Sequence, residues 1–174
     1  MSKKPIIVFE GIEGSGKSHH ISIVSKYLKR KKISHIKIRE PGGSINSEKI
    51  RRLILNQKSN FNKNTDLLLY LAARSENIDK IKKNYKKKII LIDRFTDSTF
   101  LNLVNKKNLY LRLKKRKSLN RYDKFDMKFY SKIQKGFILL SNKNKKIYKK
   151  INSNLDLKKN EKLILDQVVR LLKK

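Results

Sequence analysis

The chain has 174 residues, enough for one α/β domain with a sizeable core and too few for two. Its 46 Lys and Arg stand against 14 Asp and Glu for a formal charge of +32, and the lack of Cys excludes a disulfide framework or a thiolate metal site. With no run of about 18 apolar residues and no secretory pattern over residues 1–9, the expectation is a soluble cytoplasmic protein with no membrane partner.

Residues 5–9 are a short apolar, β-branched run that meets Gly11, the pattern of a buried parallel strand feeding a tight turn. From residue 17 to about 30, Ile21, Val24 and Leu28 recur at helical spacing, so this segment lays one face on a sheet. A second strand is predicted over 33–39, stopped by Glu40-Pro41-Gly42-Gly43. Two helices are predicted over 46–55 and 65–81, the second carrying Leu67, Leu68, Leu71 and Ile78, and a third strand over 88–93. The later half repeats the rhythm: a strand over 99–104, helices over 107–117 and 125–140, a strand over 146–151 and a closing helix over 161–172. The Lys- and Asn-rich stretch 141–150 reads as a mobile turn. This alternation gives a three-layer α/β fold of the P-loop NTPase kind, mostly parallel with helices on both faces, in a single domain.

Gly11-Ile12-Glu13-Gly14-Ser15-Gly16-Lys17-Ser18 satisfies GxxxxGK[ST], directly after a strand and directly before a helix. Its glycines let successive backbone N–H groups curl around an anion, and the helix adds its positive dipole end. Lys17 should reach the β- and γ-phosphates of ATP, and the Ser18 hydroxyl should ligate Mg2+. An aspartate at the end of a neighbouring strand is the usual companion of this loop, and Asp93 closes the apolar run 89–92.

With these residues in place the chain resembles the thymidylate kinases, P-loop nucleoside monophosphate kinases. Phe9-Glu10-Gly11-Ile12-Glu13-Gly14 is similar to that family's loop, in which the acid at Glu13 faces the acceptor nucleotide. Arg39-Glu40-Pro41-Gly42-Gly43-Ser44 resembles its REPGG[TS] turn at the monophosphate site, and Arg51 looks like the helical arginine sent toward the acceptor phosphate. Residues 67–74 are similar to LLLF-x-A-x-R, whose aromatic (here Tyr70) stacks on thymine while its arginine (Arg74) reaches the base. Four apart on a helix, those two side chains point from one face, a flat apolar surface beside a forked donor. Asp93-Arg94-Phe95 with Ser98 resembles DR[YF]-xx-S, and Arg94 fits a group that bridges donor and acceptor phosphates. Residues 114–122 resemble the basic lid, about 114–124, with its LDR[FY] ending, from which Arg116 or Arg121 would supply the transition-state cation. The resemblance implies ATP and Mg2+ as cofactors, thymidine monophosphate as acceptor, and a homodimer as an open question.

One departure stands out. The family's aromatic-Gln-Gly segment and the helix after it have no counterpart here, and residues 99–104 follow Ser98 at once. Parallel strands ordinarily need a crossover of about a dozen residues, whereas residues 94–98, fully extended, reach roughly 17 Å against about 20 Å for a six-residue strand. The expectation is that 99–104 pairs antiparallel with 88–93, sits displaced, or relies on a second chain. A truncated homologue that binds nucleotide without turnover therefore stands as a second reading. A nucleic-acid-directed NTPase is a third, favoured only by charge. The lysines are scattered with abundant Asn and Ile and without an aromatic stripe, so no specific nucleic-acid partner is expected.

Overall fold

This computed structural model describes residues 4–95, 99–116 and 120–173. Five strands, β1 (Ile6–Glu10), β2 (His35–Arg39), β3 (Ile89–Asp93), β4 (Phe100–Leu103) and β5 (Lys149–Asn152), form one sheet in the order β2-β3-β1-β4-β5, every neighbouring pair parallel. The helices are α1 (Lys17–Arg30), α2 (Ile45–Leu55), α3 (Lys63–Asn84), α4 (Lys106–Lys114), α5 (Met127–Lys143) and α6 (Leu157–Leu172), with a 3-10 turn at Arg121–Lys124. Among the described residues no helix is long and apolar enough to cross a membrane.

Strands β1 and β3 are apolar on both pleats because helices cover both faces. On one face Ile7, Phe9, Leu91, Phe100 and Ile151 pack against Val24 and Leu28 of α1 and Ile164 and Val168 of α6. On the other, Val8, Ile38, Ile90 and Ile92 meet Ile81 of α3 together with Tyr85 and Phe95. A third cluster, Ile12, Val104, Leu109 and Tyr130, joins the phosphate loop to α4 and α5.

Two expectations are corrected. The leucines of α3 are not its packing face: Leu67, Leu68 and Leu71 are exposed, and the buried side is Ala73, Asn77 and Ile81. The helix phase is set by Asn77, whose Nδ2 donates to Gly42 O at 2.6 Å, and by Ala73 O, which accepts from Ser47 Oγ at 2.9 Å. The second correction concerns β4, which pairs in parallel with β1 rather than antiparallel with β3. Asp93 and Phe100 both lie opposite Phe9, on its two sides. Because β4 is staggered toward the carboxyl end of the sheet, Asp93 and Phe100 are separated only by the width of β1. That is two strand spacings, roughly 10 Å, a gap that six residues are long enough to close without a return along the strand. Boundary differences are smaller: α5 runs on through Lys143 into the stretch read as a turn, which moves β5 to Lys149, and α6 starts at Leu157 behind its Asp156 cap.

Candidate active site

A cavity of about 650 Å³ opens along the carboxyl ends of the strands, lined by the phosphate loop, the β2–α2 turn, α2, α3, α4, α5 and the end of β3. This is where an open parallel sheet places its ligand, between loops that diverge from neighbouring strands.

The loop's shape follows from its glycines. A Cβ at Gly11 would stand 2.4 Å from Asn102 O, so the approach of β4 to the loop admits no side chain there. Gly16 caps α1 at φ 90°, turning the chain into the helix with its free N–H groups facing the cavity. Lys17, 6% exposed, lies back along the loop, its Nζ donating to Gly11 O at 2.9 Å and Ile12 O at 3.0 Å. Burial lowers its pKa to about 8, against the pull of Asp93, Glu13 and Glu10. Ser18 Oγ donates to Asp93 Oδ2 at 3.3 Å, and the buried Asp93 Oδ1 has no protein partner.

Arg94 occupies the centre. Its φ of 70° is a left-handed conformation worth of order 1 kcal/mol of strain in a non-glycine residue, and it turns the side chain back toward the loop. Its Nη1 donates to Gly11 O at 3.1 Å and its Nη2 to Glu13 Oε1 at 2.6 Å, with Glu10 3.5 Å away. Arg116 takes the other oxygen of Glu13 at 2.9 Å and Asp123 at 2.6 Å. Burial alone would raise the Glu13 pKa, but Arg94, Lys17 and Arg116 outweigh it and hold the carboxyl near 2. Glu10, without that surplus of cations, is pushed up by burial despite Arg94.

The opposite wall carries Arg39, Pro41, Arg51 and Tyr70. Arg39 makes a two-bond pair with Glu48, at 3.0 and 2.8 Å, and Arg51 Nη1 donates to Pro41 O at 2.7 Å. The turn they sit on is nailed to α3 by Asn77 and by Lys80 Nζ, which donates to Gly43 O at 2.6 Å.

Among the expected residues, the cavity thus gathers Ile12, Glu13, Gly14, Gly16, Lys17, Ser18, Arg39, Pro41, Arg51, Tyr70, Asp93, Arg94 and Arg116. Gly11 and Ser15 shape the loop from behind; Ser15 is fully buried, and its Oγ has no partner. Arg74, expected to share Tyr70's outlook, lies instead beneath the turn: its Nε donates to the buried Glu40 at 2.7 Å and its guanidinium lies over Phe95 at 5.2 Å. Arg121, expected near the transferred phosphate, is paired with Asp66 outside the lining. Ser98 lies outside the described residues.

Sequence reasoning missed Arg112, whose Nη1 donates to Gly14 O at 2.9 Å and Nη2 to Ser153 O at 2.6 Å, tying the phosphate loop to the β5–α6 turn. Its spacing of four from Arg116 was the available signal. It also missed the buried pair behind the loop, where neutral His20, lowered to about 4 by burial, meets Asn102 Nδ2 at 2.8 Å. No cluster of three or more His, Cys, Asp or Glu suited to a metal occurs among the described residues. A hydroxyl, one carboxylate and an orphaned carboxylate oxygen nevertheless suit a hard divalent cation that keeps most of its ligands as water and phosphate oxygens.

A family model described as thymidylate kinase matches residues 9–101. The thymidylate kinase of Thermosipho africanus (strain TCF52B) is 46% identical over 95 residues, 53% of this chain and 47% of that protein, so the chain spans about half the length of such relatives. That of Acholeplasma laidlawii (strain PG-8A) is 30% identical over 200 residues, covering 95% of this chain and 99% of the relative. A crystal structure of thymidylate kinase from Ehrlichia chaffeensis superposes with a TM-score of 0.69 at 22% identity, over 99% of this chain and 100% of that one, a likeness of fold.

Proposed function

This chain belongs to the thymidylate kinase family, and on that premise we propose that it transfers the γ-phosphoryl group of ATP to thymidine monophosphate, giving ADP and thymidine diphosphate. The carrying observation is the single cavity with a phosphate loop at one end, a wall of Arg39, Arg51 and Tyr70 at the other, and Arg94 between them.

Phosphoryl transfer asks a protein chiefly to align two anions and neutralise the charge between them. The loop amides and Lys17 would hold the donor's phosphates. Lys17's present bonds to two loop carbonyls are ones it exchanges for phosphate oxygens, and the incoming anion restores its full charge. Arg51 and Arg39 would take the acceptor's phosphate, and Tyr70 would give its ring to the base. Arg94 stands between them, and its forked donors suit oxygens on both nucleotides at once. Arg116 approaches from the lid side and is held at Glu13. Glu13 would accept a hydrogen bond from the acceptor, which loosens its hold on the two arginines and leaves them for the transferring group. Ser18 and Asp93 would hold Mg2+, which when bound neutralises phosphate charge and orients the polyphosphate.

A second reading is favoured by one observation. The match to Acholeplasma laidlawii runs over 200 positions against a chain of 174 residues, so part of the relative faces no residue here, and β3 reaches β4 through residues 94–99 alone. A chain so shortened would bind nucleotide without turning it over. ADP release measured with thymidylate, with uridylate and with no acceptor separates the readings. Turnover that requires thymidylate supports the kinase; silence alongside saturable Mg·ATP binding supports the shortened, inactive form; absence of Mg·ATP binding overturns both.

A further inference from the structure

Arg121 lies outside the cavity lining, yet it is held from several sides. Its guanidinium pairs with Asp66, donates to Tyr122 Oη at 3.0 Å and reaches Ser59 O at 3.4 Å. It also lies over the rings of Phe61 and Tyr122, at 5.7 and 5.0 Å. Tyr122 meets Tyr70 edge to face, with ring centroids 6.5 Å apart. Asp66 and Tyr70 are four apart on α3, so one helix face presents both, and adjacent residues of the 3-10 turn grip both.

The next residue of that turn is tied to the phosphate side. Asp123, its side chain buried, accepts from Arg116 Nη1 at 2.6 Å through one oxygen and from Asn120 N at 2.9 Å through the other. Arg116 in turn reaches Glu13 of the phosphate loop. An unbroken set of contacts therefore runs from Asp66 and Tyr70, through three consecutive residues of one capped turn, to the cation beside the loop.

We propose that Arg121 is a positioning residue: with Tyr122 it clasps α3 at Asp66 and Tyr70, so that one rigid turn sets both the acceptor's aromatic platform and the Arg116 cation. The inference rests on the reading of Tyr70 as the acceptor's platform and of Arg116 as a charge at the transferring phosphate. An arginine suits the task because a planar guanidinium pairs with a carboxylate and stacks on rings at the same time. To act on the phosphates itself, Arg121 would have to leave Asp66, Tyr122 and Phe61 together. Disturbing the clasp misplaces Arg116 and so acts on the rate of transfer more than on donor binding.

The test uses the full chain with Asp66→Asn, Arg121→Lys, Arg121→Gln and the Asp66→Asn/Arg121→Gln pair. Amide hydrogen exchange of residues 120–124 is followed in the nucleotide-free protein, and kcat and KM are measured for ATP and for thymidylate. Asp66→Asn and Arg121→Gln are each expected to speed exchange in the turn and to lower kcat about three- to tenfold with KM for ATP nearly unchanged. The double variant should be no worse than the more impaired single one, and Arg121→Lys should recover much of the loss by keeping the ion pair. Wild-type exchange and kcat in Asp66→Asn, beside a loss of about a thousandfold or more in Arg121→Gln, would overturn the clasp and place Arg121 on the phosphates. A wild-type chain without acceptor-dependent turnover would defeat the kinase reading instead. The exchange data would still decide the clasp, unaltered protection in both single variants counting against it.

Discussion

The two ends of the cavity are built in opposite ways. The end proposed to take the donor's phosphates is one unbroken octapeptide, Gly11 to Ser18, whose donors would be largely backbone amides at a helix start. The end proposed for the acceptor is put together from side chains on separate elements, Arg39 from β2, Arg51 from α2 and Tyr70 from α3, and it holds its shape through long-range bonds such as Asn77 to Gly42 and Ser47 to Ala73. A cradle made of local backbone carries its own geometry wherever a strand and a helix flank it. A wall made of side chains depends on how three elements pack. Arg94 lines the cavity beside both, bonded to the loop at Gly11 O and Glu13.

The comparison can be broken first at its strongest point. Lys17→Ala should abolish turnover, a loss of about a thousandfold or more, because it removes the cation that would hold the donor's phosphates from within the loop; acceptor-dependent ADP release close to wild type would remove Lys17 from its assigned role. Arg94→Ala should lower kcat by about a hundred- to a thousandfold while Mg·ATP affinity changes far less, since it serves the junction and not the cradle. Gly11→Ala tests the claim that the loop's backbone is irreplaceable. With Asn102 O in the way and a positive φ, a loss of about 1–3 kcal/mol in chemical denaturation is expected, and an unchanged midpoint would refute the close approach. On the acceptor wall, Tyr70→Ala should raise KM for thymidylate about tenfold with ATP affinity intact, as loss of one ring face requires.

The smallest effect is one of pH. Burial lowers Lys17 in the nucleotide-free protein to about 8, so below that pH the lysine is already charged and polyphosphate binding takes up no proton there. Above pH 8 the free lysine is neutral, binding must protonate it, and Mg·ATP affinity should decline by at most tenfold per unit. Titrations at pH 7 and pH 9 read this directly, and equal affinities would show that Lys17 keeps its charge.

Charge makes the same division between local and global. Each of the seven ion pairs among the described residues is made by an arginine, and six of them include a residue of the cavity lining. The lysines that dominate the composition therefore say little about the site. Arginine's forked donors and weak hydration suit buried pairing, whereas lysine's compact charge stays in water.

Periodicity and the glycine spacing of the loop were enough, read along the chain, for the α/β class, all five strands, the six helices to within a few residues and the tight loop from Gly11 to Ser18 between β1 and α1. Such features arise from contacts a few residues apart, and a linear sequence displays them. Tertiary packing alone decided that α3 turns Ala73, Asn77 and Ile81 inward and leaves its leucines outside, that Arg74 serves the buried Glu40, and that Arg121 clasps Asp66. It also decided the stagger of β4, which lets so short a connection join parallel strands. Each of these depends on the phase or register of one element against another, a quantity set by the balance of many distant contacts and written in no single stretch of residues.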